Sequence, residues 1–209
     1  MIISGKLEDV NDVFFAIFNL FGATSVTLAA LLNAGASRQK KLRTDLFSIA
    51  GLFLGFWSFG PYLFGREYVP KIAREEVYDR GILSRALESK ALALATVGYA
   101  LWAYAFALGF FTPGTLKYHD VLLYATVVDL FRDFSMDRGI FSTCIDFVIL
   151  NTVIGGPLTE DMSRRGWFRE GRNIDSILTA LCFLLIPVLG PAVYLLLRPS
   201  LPESNSEKS

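Results

Sequence analysis

One carboxylate lies where a hydrophobic stretch should not carry one. Asp146 stands inside the apolar run Ile140 to Leu158, about six residues from its start and so roughly 9 Å in at helical rise. An ionised carboxylate at the centre of a lipid-embedded helix costs at least about 3 kcal/mol. Asp146 must therefore be protonated, be paired or face a water-filled cavity. Ser142 lies one turn earlier on the same helical face. Three readings are open to Asp146: a hydrogen bond holding two helices together, which is the commoner, a proton- or ligand-binding group, or a shallow, solvated position. Asn19 and Asn151 are the other amides within apolar runs. Interhelical hydrogen bonds are the usual work of such residues, worth on average about 0.6 kcal/mol each; contact with a ligand or pigment is the alternative.

Outside the apolar runs, Asp129, Asp133 and Asp137 recur at i, i+4, i+8, which would line one helical face. Paired carboxylates can hold Mg²⁺ beside a phosphorylated substrate. No second acidic cluster accompanies them, however, and Arg132 and Arg138 offer neutralising partners. A solvated acidic edge is the plainer reading, and no metal site is expected. Arg164, Arg165, Arg169 and Arg172 beside Trp167 and Phe168 suit either an anionic lipid headgroup or simple anchoring at headgroup level. His119 is the only histidine, which excludes a multi-histidine metal or haem site within one chain. Cys144 and Cys182 stand in neither CxxC nor zinc spacing. No P-loop, GxGxxG, GxSxG or HExxH pattern occurs. No catalytic set and no cofactor is evident, though a pigment or lipid could be held.

The elements that must position these residues are set by hydrophobicity. Hydrophobic residues make up 53% of the 209 and charged residues 19%, with a mean hydropathy of +0.43; soluble chains carry about 25% charge. Zero net charge leaves no basic surface for nucleic acid, and the expected partner is the lipid bilayer. Five apolar stretches recur: Val13 to Asn33, Leu46 to Phe64, Ala91 to Phe111, Ile140 to Leu158 and Ser176 to Leu197. Each approaches the roughly 20 residues that a helix needs to cross a 30 Å hydrocarbon core. Gly51 and Gly55 give the second a GxxxG spacing suited to a small-residue contact face. Pro187, Gly190 and Pro191 fall in the middle of the fifth and should bend or break it.

Between these stretches, Gly65 to Lys90 reads as short interfacial helices interrupted at Gly81. Lys117 to Gly139, with only about ten charge-free residues, reads as an amphipathic helix in the interface. The N-terminus lacks the features of a signal peptide. The expectation is an all-α, polytopic transmembrane bundle of about five spans plus that interfacial helix. It forms a single domain over residues 1–200, with a disordered polar tail at 201–209. Five crossings would put nine Lys and Arg on the face holding the first loop and eleven on the other, which leaves orientation open.

Four stretches carry a resemblance: Phe18 to Gly22 (FNLFG), Pro61 to Leu63, Asp161 to Gly166 (DMSRRG) and Pro187 to Pro199 (PVLGPAVYLLLRP). Together they resemble a family of multi-span membrane proteins of cyanobacteria and of algal and plant plastids. The resemblance implies a photosynthetic membrane, thylakoid or plastid envelope, and brings no catalytic motif. The first expectation is a non-enzymatic protein associated with, or assembling, a photosynthetic membrane complex. The alternative is a membrane enzyme or carrier for a lipophilic isoprenoid or carotenoid, with Asp146 in an intramembrane pocket.

Overall fold

The structure, a computed structural model, describes residues 11–39, 41–108, 110, 119–168 and 173–203. It is built from helices, with no strand among the described residues. Three rods are long and apolar enough to cross a membrane: Val13–Arg38, Lys90–Ala107 and Arg138–Arg164. The first is α1 (Asp12–Asn33), extended by a 3-10 turn over Ala34–Arg38. Asn11 starts it by accepting from the Val13 and Phe14 amides at 3.0 and 3.1 Å, which satisfies two of the four orphan donors of a helix start. α1 is the hub: Thr24, Ser25, Thr27, Leu28, Ala30 and Leu31 are all fully buried, and segments from both halves of the chain, including both of the other long apolar rods, pack against it.

The expected second span does not form one rod. It divides into α2 (Thr44–Leu54) and α3 (Phe56–Gly65) at Gly55, and the halves lie side by side. Thr44 and Tyr62 share a 2.7 Å hydroxyl–hydroxyl hydrogen bond, and Ser58 Oγ donates to the Phe47 carbonyl at 2.9 Å. In one continuous helix Thr44 and Tyr62 would stand about 27 Å apart. The turn needs Gly55, whose φ of +54° is open to glycine at no steric cost. It also needs Gly51, where a Cβ would sit 2.2 Å from the Phe59 ring. The GxxxG pair therefore packs the chain against itself instead of offering an outward contact face.

After α3, two short helices, α4 (Arg74–Tyr78) and α5 (Ile82–Glu88), are separated at Gly81 as expected. Ser89 then caps α6 (Lys90–Ala107), accepting from the Leu92 amide at 3.1 Å. α6 ends four residues short of the expected Phe111. α7 (His119–Met136) turns sharply at Asp137 into α8 (Arg138–Val153), with the Phe134 and Phe141 rings 4.7 Å apart. α8 does not stop at Gly155-Gly156-Pro157. It passes through one turn at Ile154 into α9 (Gly155–Arg164), because Pro157 falls in a first turn, where the missing N–H is not needed.

The expected fifth span is also folded back, as α10 (Asn173–Leu184) and α11 (Leu189–Leu197). The Phe183 and Tyr194 rings are 5.5 Å apart, where a straight helix would hold them about 16 Å apart. Gly190 lies so close to the Phe183 carbonyl that a Cβ would come within 1.9 Å of it. Pro191 is tolerated in the first turn of α11, as Pro157 is in α9. Hydropathy averaged along a stretch does not distinguish one rod from two antiparallel halves, which is why both stretches read as crossings. At the start of the expected tail, Leu201 is buried against Val69, Ile72 and Val77, and the Pro202 carbonyl accepts from the Arg74 amide; residues 204–209 lie outside the described residues.

Both hairpins enter from the same end of the bundle, where Asn33, Lys90 and Arg164 also gather. We term this the polar end. The other end holds the start of α1, the close of α6 and the α7–α8 turn.

Candidate functional site

The tip of the α2–α3 hairpin meets Asp146. The Phe56 N–H opens α3 and has no partner within its own helix; it donates to Asp146 Oδ1 at 3.1 Å. A carboxylate at a helix N-terminus faces the positive end of the macrodipole. A Cβ on Gly55 would lie 2.2 Å from Phe21 and 2.3 Å from Asp146 Oδ2, so glycine alone allows the tip to approach both α1 and α8.

Beside this contact a groove of about 550 Å³ runs between α3 and α8. Phe56, Trp57, Gly60, Pro61 and Phe64 form one wall, and Phe141, Ser142, Ile145, Asp146 and Ile149 form the other. Asp146 is the only ionisable side chain in it, with Ser142 beside it as their spacing places them. Trp57 and Phe64 are 80% and 96% exposed at its mouth. Pro61 has no N–H to offer the Trp57 carbonyl. The groove thus pairs apolar walls with the Asp146 carboxylate at the depth of the tip.

The polar end is built differently. Asp161 is fully buried, and its Oδ2 accepts from Arg165 Nε at 2.8 Å, Tyr194 Oη at 2.9 Å and Arg198 Nη1 at 3.2 Å. Glu88 Oε2 takes the other side of both guanidiniums, at 2.8 Å from Arg165 and 3.2 Å from Arg198. Arg165 also donates to the Pro199 carbonyl, and Arg198 to those of Ala30 and Leu87. Lys90 Nζ donates to the carbonyls of Leu196 and Arg198, both at 2.5 Å, closing the C-terminus of α11. Glu160 bridges Arg66 and Arg164, whose Nε donates to the Val69 carbonyl at 2.7 Å. A buried charge is tolerated when it is paired; these groups join six segments, and of their buried side-chain atoms Asp161 Oδ1 alone has no hydrogen-bond partner among the described residues.

This placement changes the reading of the basic loop. The side chains of Arg164 and Arg165 are each 1% exposed, so they bind internal carboxylates and not headgroups. The Asp161–Arg165 pair at i, i+4 forms as the spacing implies. Trp167 stacks edge-on against Phe183 and Tyr194 at 5.7 and 5.5 Å, inside the bundle. Arg169 and Arg172 lie outside the described residues. The motifs DMSRRG and PVLGPAVYLLLRP, 20 residues apart in sequence, meet in this network. Glu88 and Glu160 drew no attention in the sequence; their signal was position, each an acid at the margin of an apolar helix.

Other candidate residues do structural work. Asn19 Nδ2 donates to the Phe15 carbonyl, and its Oδ1 accepts from Tyr99 Oη at 2.6 Å, joining α1 to α6. Asn151 donates to the Phe147 carbonyl at 2.8 Å, and its buried Oδ1 has no partner among the described residues. Asp137 caps α8, accepting from the Gly139 and Ile140 amides at 2.7 and 3.1 Å. Arg132 pairs with both Asp129 and Asp133, at 3.3 and 3.7 Å. With one carboxylate capping and two paired, the acidic row does not converge on a metal site; no group of three potential ligands exists among the described residues. The side chain of His119 lies outside the described residues. Cys144 and Cys182 are free thiols.

Set against known proteins, the chain matches no family model, no curated protein and no solved structure.

Proposed function

We propose that the chain is an integral membrane protein that binds an elongated lipophilic molecule in the groove between α3 and α8. The observation that carries this reading is the groove itself: apolar walls around a single carboxylate, at the tip of a helix folded back at mid-depth. Such pockets, with few polar groups fixing orientation, suit small apolar ligands. From Phe64 to Phe141 the groove extends about 20 Å at helical rise, a length fitting an isoprenoid or carotenoid chain. Asp146 is an acceptor, which favours a ligand bearing a hydroxyl. In this reading the five expected spans become three crossings and two re-entrant hairpins. The sequence resemblance adds a thylakoid or plastid-envelope setting, or a cyanobacterial membrane.

The test is extraction of lipid and pigment from protein purified in mild detergent. The wild-type chain should carry a stoichiometric lipophilic compound that Asp146→Asn and Trp57→Ala each lose while the protein still accumulates. Equal, non-stoichiometric lipid in all three would sink the proposal. A second reading, membership or assembly of a larger photosynthetic-membrane complex, draws on one observation. Only 11% of the α8–α9 apolar window is covered within the chain, leaving a face for lipid or another subunit. Migration of solubilised membranes on native gels, as free monomer or within a large complex, separates the two.

A further inference from the structure

The hairpins change which residues share a side of the membrane. With α2–α3 folded back, the 34–45 and 66–90 connections lie at the same end of the bundle, and α10–α11 returns the chain to that end too. Among the described residues, Arg38, Lys41 and Arg43 belong to the first connection. Six more basic residues belong to the second, and Arg164, Arg165 and Arg198 complete a total of twelve. The opposite end has two, Arg132 and Arg138. Over these same fourteen residues, five crossings would divide them six and eight; three crossings divide them twelve and two. An excess of Lys and Arg in short connections marks the cytoplasmic side, where anionic headgroups also concentrate.

We propose that the polar end is the cytoplasm-facing end of the bundle. Both re-entrant hairpins then enter from that side, and the α7–α8 turn faces the opposite compartment. The hairpin dimensions fit. α2, with 11 residues, reaches about 16 Å, and α10, with 12, about 18 Å, each near half of a roughly 30 Å hydrocarbon core. Irregular backbone at that depth survives only where protein covers it or it lines a cavity; Gly55 and Val188, the positive-φ residues of the two turns, are buried, while Leu185 and Ile186 before Val188 are exposed. Gly55 abuts Phe21 and Asp146. Val188 is buried against Leu20, Ala23, Ala100 and Ala103, while Tyr104 Oη donates to the Pro187 carbonyl at 2.8 Å. The proposal rests on the membrane reading above and is independent of what the groove binds.

The experiment places single cysteines in the full chain, after Cys144→Ser and Cys182→Ser, and expresses it in a bacterial inner membrane. Lys41→Cys, Lys71→Cys and Met136→Cys report the two connections and the α7–α8 turn; Met136 is 79% exposed. A membrane-impermeant maleimide applied to intact spheroplasts should label Met136→Cys alone. Lys41→Cys and Lys71→Cys should react only after lysis. Labelling of Lys41→Cys and Lys71→Cys from opposite sides would overturn the re-entrant hairpin. Labelling of both from outside, with Met136→Cys protected, would overturn the orientation, and any other pattern rejects the shared-side arrangement. Carbonate washing of the same membranes separates these failures from failure of the membrane reading, which alone would release the protein.

Discussion

The two hairpins have the same outline and opposite construction. α2–α3 turns through a glycine at positive φ, leaves Trp57 and Phe64 uncovered and is held near its tip by hydrogen bonds from the Phe56 N–H to Asp146 and from Ser25 Oγ to the Gly51 carbonyl. α10–α11 turns through Val188, a β-branched residue at φ +64°, a conformation that costs about 1–3 kcal/mol. That cost persists because Val188 itself is packed against α1 and α6 and the base is bolted by the Asp161–Arg165–Arg198–Glu88 network. Both hairpins are tied at the base, the first through Thr44–Tyr62 and Arg66–Glu160; they differ at the tip, where the first borders a groove and the second packs Val188 against α1 and α6. A site that must admit a ligand belongs with the first.

The sharpest way to break this contrast is to remove the bolt. Asp161→Ala leaves Arg165 and Arg198 buried with half their countercharge, and breaking such a pair costs about 3–5 kcal/mol. The expected outcome is loss of accumulation, or a large fall in thermal midpoint in detergent; an unchanged midpoint would show the network to be dispensable. Gly190→Ala comes next. Its new Cβ would meet the Phe183 carbonyl at 1.9 Å, and relieving the overlap should cost about 1–3 kcal/mol. The same measurement checks it, with Gly156→Ala, where a Cβ has open space, as the near-neutral control.

Asp146→Asn should act in the other direction. The amide oxygen can still accept from the Phe56 N–H, so stability should change by less than about 1 kcal/mol while the bound lipophile is lost. A large stability loss without a change in ligand would make Asp146 a purely structural cap. The smallest effect concerns Glu76. Hydrogen bonds from Arg38 hold its carboxyl below the ordinary range against the opposing effect of burial. A depressed folded value contributes stability above the unfolded one, near 4.5, and loses it as pH falls further. An exposed pair of this kind is worth at most about 1 kcal/mol. Acidification below about pH 4.5 should therefore raise amide exchange in α4 only slightly, and Glu76→Gln should remove that pH dependence.

Much of this architecture was legible in the chain. Helical class followed from apolar runs too long for strands, the α4–α5 break from Gly81, and the interruption of the last stretch from Pro187, Gly190 and Pro191. Asp146 was legible as a site because a carboxylate in an apolar run must find a partner. That its partner is a backbone amide 90 residues away was not, since nothing local to Asp146 encodes the break at Gly55. The basic loop misled for a related reason. Arginines near an apolar helix read as headgroup contacts unless one knows that Glu88, Glu160 and Asp161 come within reach.

By itself, the sequence determined which segments are apolar, where the backbone can bend and which charges must find partners, because those properties are local. Only the tertiary structure decided whether a bend is a kink or a reversal. That choice depends on what lies beside the turn: Phe21 and Asp146 at one, Ala100, Ala103 and Tyr104 at the other. It also decided which charges face each other, since pairing through space is fixed by the packing of α1, α6 and α8 and not by distance along the chain.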